Sequence, residues 1–406
     1  MSPRQTNLSN HSDSFLKGAS MALNAETYLT DRERLRGDVN DVESIMALTN
    51  RDMEAELSSV QSHYDALFTW DYRKAERPAL NKLYEKAKGS QWDGEKDLDW
   101  SIDVDEEKTA RQLLVAAPGD GWIRDRAQEE GLFKGWTDKQ WTELAMEGQR
   151  WRLSQFLHGE QGALICTARI TETVPWYDAK LFAATQVVDE ARHVEVFAKY
   201  LLTKLSGTYP INAHLEALLT DIIRDSRWDM TYLGMQIMVE GLALAAFGFM
   251  HLLIEEPLLK QLLRYVMSDE ARHVAFGVIS LKEAYDGMGA AEIRERQEFA
   301  FEAGIRMRDR FLQQEVWERM GVDVRKMVKI QLEIPNEYKD FQKLLFSKIV
   351  PNCRKLGLLD AGDGWLRQKW TEMGVIEYEH WADTDDEYAS LDAVAADREA
   401  ATAQVA

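Results

Sequence analysis

At 406 residues, 45% of them apolar and only 8 of them proline, the chain can bury a large core and reads as folded and helical rather than disordered. A formal charge of −20 argues against nucleic acid and anionic membranes as partners and favours solubility. Two cysteines, Cys166 and Cys353, are too few for a disulfide framework and point to a reducing cytoplasm.

Met1 to Ser20 is polar and carries no apolar run that could serve as a signal peptide, and a mobile lead-in is expected over residues 1–38. Asn40 with Glu43 forms a capping-box pattern that predicts a helix running to about Thr69. From Arg73 to Asp99 the pattern breaks up, with Pro78, Gly89 and Gly94 as punctuation. Gln91-Trp92-Asp93 falls in that stretch and reads as packing beneath a turn. Thr137 with Gln140 gives a second capping box, and the chain then runs without proline or clustered glycine to Pro175. That stretch predicts a helix of roughly 37 residues, about 55 Å long, a length typical of bundles.

Three more long helices are expected, from Trp176 to about Lys204, from Ala213 to about Ile254 and from Leu258 to about Tyr285. Within the third, Leu233 to Ile254 is apolar enough to span a membrane, but Glu240 near its centre would be costly in lipid and favours a buried bundle helix. Ala290 to about Gly321 is charged and amphipathic, and shorter helices are expected over 322–375. Residues 376–406 hold nine acids and one arginine, −8 of the total charge, and predict a mobile acidic tail. The expected organisation is one all-α domain over 39–375, with its bundle core at about 137–285.

One six-residue word occurs twice in the core, Asp189 to Val194 and Asp269 to Val274, 80 positions apart. The same shift carries Glu160 onto Glu240, so each copy offers a glutamate and, 30 positions on, Glu-x-x-His. Glu160 and Glu190 each lie 15 residues from Pro175, and Glu240 and Glu270 each lie 15 residues from Glu255. If each bend joins two antiparallel arms, both hairpins hold their acids at one level. Positions i and i+3 share a helix face, so Glu190 points with His193 and Glu270 with His273.

One glutamate on each of two helices, and Glu-x-x-His on each of the other two, is the ligand set of carboxylate-bridged di-iron and di-manganese bundles. Four glutamates offset two divalent ions, and four acids meeting in a core without cations would repel one another. Buried Glu and His also occur as ordinary core ion pairs; the register of two such words with two further glutamates favours metal. Oxygen and imidazole donors suit iron or manganese. Asp189 and Asp269 are placed to accept the outer N–H of the opposite histidine, with Arg192 and Arg272 pairing the aspartates.

These words and spacings resemble the ferritin-like superfamily of non-haem di-iron carboxylate oxygenases. Within it they look most like hydroxylase large subunits of bacterial multicomponent monooxygenases and the related ring-epoxidising acyl-CoA oxygenases. The resemblance covers about Thr137 to Tyr285. It implies a ferritin-like four-helix bundle in which Glu160, Glu190 and His193 hold one iron and Glu240, Glu270 and His273 the other, with Glu190 and Glu270 bridging. It also implies O2 as co-substrate and a peroxo-diferric intermediate that inserts oxygen into a small, mainly apolar organic substrate. A mixed manganese–iron pair is compatible with the same ligands, and a homodimer with the same fold.

Two departures stand out. Phe197 occupies the position of the radical-forming tyrosine of ribonucleotide reductase small subunits, and Leu244 that of the oxygen-activating threonine of multicomponent hydroxylases. Gln186, Thr167 or water are then the candidates for proton delivery. Helical offsets from the ligands predict a pocket lined by Leu164, Thr167, Phe197, Ala243, Leu244, Phe247, Phe276 and Gly277. No Gly-rich dinucleotide fingerprint or cysteine cluster occurs, so electrons are expected from an external reductase or ferredoxin. Desaturation and N-oxygenation use the same core, and a ferroxidase or iron-handling role is the alternative from another class.

Overall fold

The computed structural model describes residues 37–49, 60–61, 64–116, 120–335 and 340–384. Residues 1–36 of the expected lead-in (1–38) and residues 385–406 of the expected tail (376–406) lie outside the described residues, whereas Ile376–Tyr378 forms a short 3-10 turn with Tyr378 buried. Every regular element among the described residues is helical. Among the described residues four short helices come first: α1 (Val42–Ala47), α2 (Pro78–Gly89), α3 (Glu106–Ala116) and α4 (Asp120–Glu129). The centre follows as α5 (Asp138–Thr173), α6 (Tyr177–Lys204), α7 (Ala213–Arg224), α8 (Trp228–Tyr232), a π-helical stretch Leu233–Val239, α9 (Glu240–Leu253) and α10 (Pro257–Tyr285). Beyond it lie α11 (Ala290–Arg310), α12 (Gln314–Arg319), α13 (Val324–Leu332), α14 (Asp340–Leu344), α15 (Ile349–Lys355) and α16 (Trp365–Met373).

The bundle is built from two hairpins. Gln140 Oε1 accepts from the Thr137 backbone N–H at 2.9 Å and opens α5. Val174, extended before Pro175, closes it, because a residue preceding proline avoids the helical region. Trp176 then leads into α6, which packs along α5. In the second hairpin Glu256 caps α10, accepting from Leu258 N at 2.8 Å and Leu259 N at 2.7 Å, with Pro257 at the first helical position. α9 packs along α10, and α6 touches α10, so the hairpins face each other. The all-α four-helix core with helices added on both sides is as the sequence leads one to expect.

Two elements differ from expectation. α1 is capped by Asp41 rather than Asn40, its carboxylate accepting from Ser44 N at 2.8 Å, and it ends at Ala47. The part of the expected extension over residues 50–59 lies outside the described residues, but from Tyr64 to Asp71 the chain has no regular structure. The helix expected from Ala213 to Ile254 is interrupted at Asp225-Ser226-Arg227. There Asp225 accepts from Arg227 N at 2.9 Å, a local side-chain bond that competes with the helical ladder.

The helix then resumes and widens into the π stretch, all of it buried, which ends immediately before Glu240. Gly277 of α10 lets this wider backbone approach; a Cβ there would come within 2.6 Å of Gln236 Cβ. Trp228–Leu253 is long and apolar enough to cross a membrane, yet 83% of its most apolar window is buried within the fold. α11 lies across α7 and the π stretch and covers them.

Candidate metal centre

The four bundle helices deliver the acids and imidazoles that the sequence singles out to one buried place. Glu160 comes from the middle of α5, Glu190 and His193 from α6, Glu240 from the first residue of α9, and Glu270 and His273 from α10. None of the six exposes more than 4% of its surface. Their ligand atoms fall into two overlapping sets, each with all atoms within 4.8 Å of one another. One set is Glu160, Glu190, His193 and Glu270; the other is Glu190, Glu240, Glu270 and His273. Glu190 and Glu270 belong to both, which gives each set three carboxylates and one imidazole.

Donor chemistry tests whether cations fit. His193 Nδ1 lies 3.1 Å from Glu160 Oε2, 3.3 Å from Glu190 Oε2 and 3.1 Å from Glu270 Oε1, so one ring nitrogen faces three acids. His273 Nδ1 is 3.0 Å from Glu190 Oε1, but off the line a hydrogen bond needs. Both oxygens of Glu270, Oε2 of Glu190 and Oε2 of Glu240 have no hydrogen-bond partner among the described residues. Unsatisfied acceptors converging from three helices are costly in a buried site, and a divalent cation in each set answers that cost. Among oxygen and imidazole donors with no thiolate, iron or manganese is the suitable class.

The outer nitrogens of both rings are held across the bundle. His193 Nε2 lies 3.1 Å from Asp269 Oδ2, and His273 Nε2 lies 3.3 Å from Asp189 Oδ2. Arg192 Nη2 donates to Asp189 Oδ1 at 2.5 Å and to Asp269 Oδ2 at 3.1 Å, and Arg272 bonds Asp269. Each aspartate thus fixes the opposite histidine with Nδ1 turned inward, which sets the tautomer a metal ligand needs.

Sequence reasoning missed the support beneath this layer. Trp92 Nε1 donates to Asp269 Oδ2 at 2.8 Å, and Gln91 Nε2 donates to Asp189 Oδ1 at 2.9 Å. Arg192 Nη1 donates to Gln91 Oε1 at 2.8 Å, while its guanidinium stands 4.6 Å from the Trp92 ring centre. Gly94 allows that loop to approach α6, since a Cβ there would meet Val196 Cγ1 at 2.7 Å. The loop read as turn packing is therefore a bracket for both aspartates. Its only sequence signal was a pair of polar-tipped side chains beside a glycine, with no spacing to tie them to the bundle.

Charge coupling inside the cluster is strong. Burial, reinforced by Glu270, raises the Glu160 carboxyl to about 8. Burial and the nearby Glu190 and Glu270 push Glu240 well above the carboxylate range. For Glu190 burial acts upward too, but His273 and His193 outweigh it and hold the group low. Burial would lower both histidines; their carboxylate neighbours prevail and raise them well above the usual imidazole value. Gln186 Nε2 ties the two bundle halves together, donating at 3.0 Å to both Glu190 Oε1 and Glu240 Oε1.

Beside the cluster lies a cavity with room for about one water molecule, lined by Gln155, Phe156, Gly159, Glu160, Ala163, Val239, Glu240, Ala243, Glu270 and Arg310. Of the expected pocket residues only Ala243 borders it. Phe197 and Phe247 stack on each other at 5.7 Å, and Phe247 closes on Phe156 at 4.7 Å, forming a packed wall. Phe276 lies 4.4 Å from Phe182 and 5.0 Å from Tyr232. Gly277 is a helix-crossing contact, Thr167 is fully buried in α5, Leu244 is nearly so, and Leu164 is partly buried. A one-turn offset along a helix sets these side chains near the ligands without distinguishing the cavity side from the packed side. It also could not reach Arg310, which arrives from α11.

No family model matches the chain. No curated protein matches it. Solved structures that match include a variant of an R2-like ligand-binding oxidase with an anaerobically reconstituted Mn/Fe cofactor, at 17% identity and a TM-score of 0.39, covering 68% of this chain and 96% of that one. Another is an R2-like ligand-binding oxidase with an aerobically reconstituted metal cofactor after photoconversion, at 17% identity and a TM-score of 0.41, covering 70% of this chain and 94% of that one.

Proposed function

We propose that the chain is a di-metal oxidoreductase of the monooxygenase type, which uses O2 to oxidise a small organic substrate and takes electrons from a separate reductase or ferredoxin. The observation that carries this reading is the pair of overlapping three-carboxylate, one-imidazole sets sharing Glu190 and Glu270. Glu160, Glu190, Glu270 and His193 would hold one ion, and Glu190, Glu240, Glu270 and His273 the other. Two iron ions, or one manganese and one iron, would supply the electrons and open coordination positions that O2 needs.

The chain's own contribution is preorganisation. Asp269 and Asp189 keep Nδ1 of each imidazole aimed inward, so no reorientation is required when a ligand binds. Gln186 orients Glu190 and Glu240 through one amide group, donating to both carboxylates. Phe156, Phe197 and Phe247 keep the adjoining wall dry, which strengthens every electrostatic contact inside.

The test is to load the protein anaerobically with ferrous iron, count the ions, and then admit O2 with a reductant and candidate substrates. Two ions per chain with O2 consumed in step with substrate oxidation supports the reading. Ferric iron accumulating well beyond two ions per chain, without any organic product, would replace it with iron handling.

A further inference from the structure

Arg310, the last residue of α11, borders the cavity together with Glu160, Glu240 and Glu270. It exposes only 3% of its surface, its buried Nε has no hydrogen-bond partner, and no acid pairs with it among the described residues. The neighbouring Phe311 ring centre lies 4.8 Å from the guanidinium carbon. Burial alone lowers the group to about 10, with no carboxylate opposing the shift.

This is unusual within the same protein. The other deeply buried arginines have acidic partners: Arg272 pairs with Asp269, Arg296 with Asp229 at 2.9 Å, and Arg306 with Glu302 at 2.6 Å. A buried arginine without a counter-charge costs several kcal/mol, as an order of magnitude.

Charge counting shows what is missing. With two divalent ions in place, the four glutamates are neutralised and Asp189 and Asp269 are balanced by Arg192 and Arg272. Arg310 then remains as one uncompensated positive charge on the wall of the cavity. The rest of that wall is partly apolar, with Phe156, Ala163, Val239 and Ala243, and Gly159 leaves open space because a Cβ there would meet nothing within 4 Å. A guanidinium presents a planar fork that matches a carboxylate with two parallel hydrogen bonds.

We infer that Arg310 is the anion-recognition residue of this cavity, and that the substrate is a small organic acid whose carboxylate is held by Arg310 while its apolar part lies toward Glu160, Glu240 and Glu270. The inference deepens the di-metal reading by naming the substrate class, and rests on it for the direction in which the ligand points. The observed cavity has room for about one water, so binding such a ligand requires side chains on its wall to move aside.

The probe is butyrate, with butyramide as its neutral isostere, titrated calorimetrically at fixed ionic strength into the anaerobic, ferrous-loaded protein and into the metal-free protein. Butyrate is expected to bind and butyramide to bind at least tenfold more weakly. Arg310→Met is expected to weaken butyrate at least tenfold, the value of one charge-assisted hydrogen bond, while still taking up two ions. Arg310→Lys, which keeps the charge but loses the fork, is expected to fall between. Ligand-free Arg310→Met should also melt higher than the parent, because a buried unpaired charge is gone; Arg310→Lys carries the test if the methionine variant does not fold. Equal butyrate affinity in wild type and Arg310→Met, or equal affinity for butyrate and butyramide, overturns the inference. Failure to load metal instead refutes the di-metal reading, and the metal-free titration still shows whether Arg310 binds the acid.

Discussion

Trp92→Phe isolates the bracket that holds the histidines from outside the bundle. The indole N–H donates to Asp269 Oδ2 at 2.8 Å, and that same oxygen lies 3.1 Å from His193 Nε2. Phenylalanine keeps an aromatic ring against Tyr265, whose centroid is 4.9 Å away, but removes the donor from a buried, charged acceptor. A hydrogen bond to a charged group contributes about 1.5–3 kcal/mol, and the smaller ring adds a modest cavity cost in the same direction. The expected loss is therefore about 2–4 kcal/mol in urea-induced unfolding of the metal-free protein. Because Asp269 then holds His193 less firmly, metal affinity measured by chelator competition should drop by about 10- to 100-fold. Unchanged metal affinity in a folded variant would refute the claim that the loop carrying Gln91 and Trp92 supports the centre.

Glu240→Ala should lose at least one ion by elemental analysis, yet remain helical by circular dichroism. Its metal-free form should melt higher than the parent, because Glu240 is a buried acid pressed by Glu190 and Glu270. Gly277→Ala should cost about 1–3 kcal/mol in thermal unfolding, since the new methyl would meet Gln236 Cβ at 2.6 Å. The pH dependence follows from Glu160, whose carboxyl is raised to about 8. A raised acid holds its proton in the folded state beyond the unfolded value, so this group's contribution to metal-free stability is lost as pH climbs from the ordinary glutamate range toward 8. Metal must displace that proton, so apparent affinity should rise over the same interval, with proton release visible in buffers of different ionisation enthalpy. A flat affinity from pH 6 to 8 would contradict this assignment.

Much of the bundle and the centre was legible because both depend on periodicity. The repeat of Asp189–Val194 at Asp269–Val274, with Glu160 and Glu240 offset identically, needs only helical spacing and two bends to bring six side chains together. The cross-bundle pairing of Asp189 and Asp269 with the opposite histidines followed from the same register. Part of what stayed hidden came from outside the periodic core. Gln91 and Trp92 reach the aspartates from a loop, and Arg310 enters from a helix whose pattern is merely amphipathic. The break at Asp225 has no proline or glycine to announce it, since an aspartate's side-chain bond to Arg227 N ends the helix. The π stretch before Glu240 was equally invisible, because an apolar run reads the same whether its turns are α or π.

The most direct test of the central claim is a metal count on the anaerobically loaded protein, by elemental analysis after desalting, in the parent and in a Glu190→Ala variant. Since Glu190 belongs to both ligand sets, the account predicts two ions per parent chain and depletion of both in the variant. A parent that binds no ion, or a variant that keeps both, would contradict it.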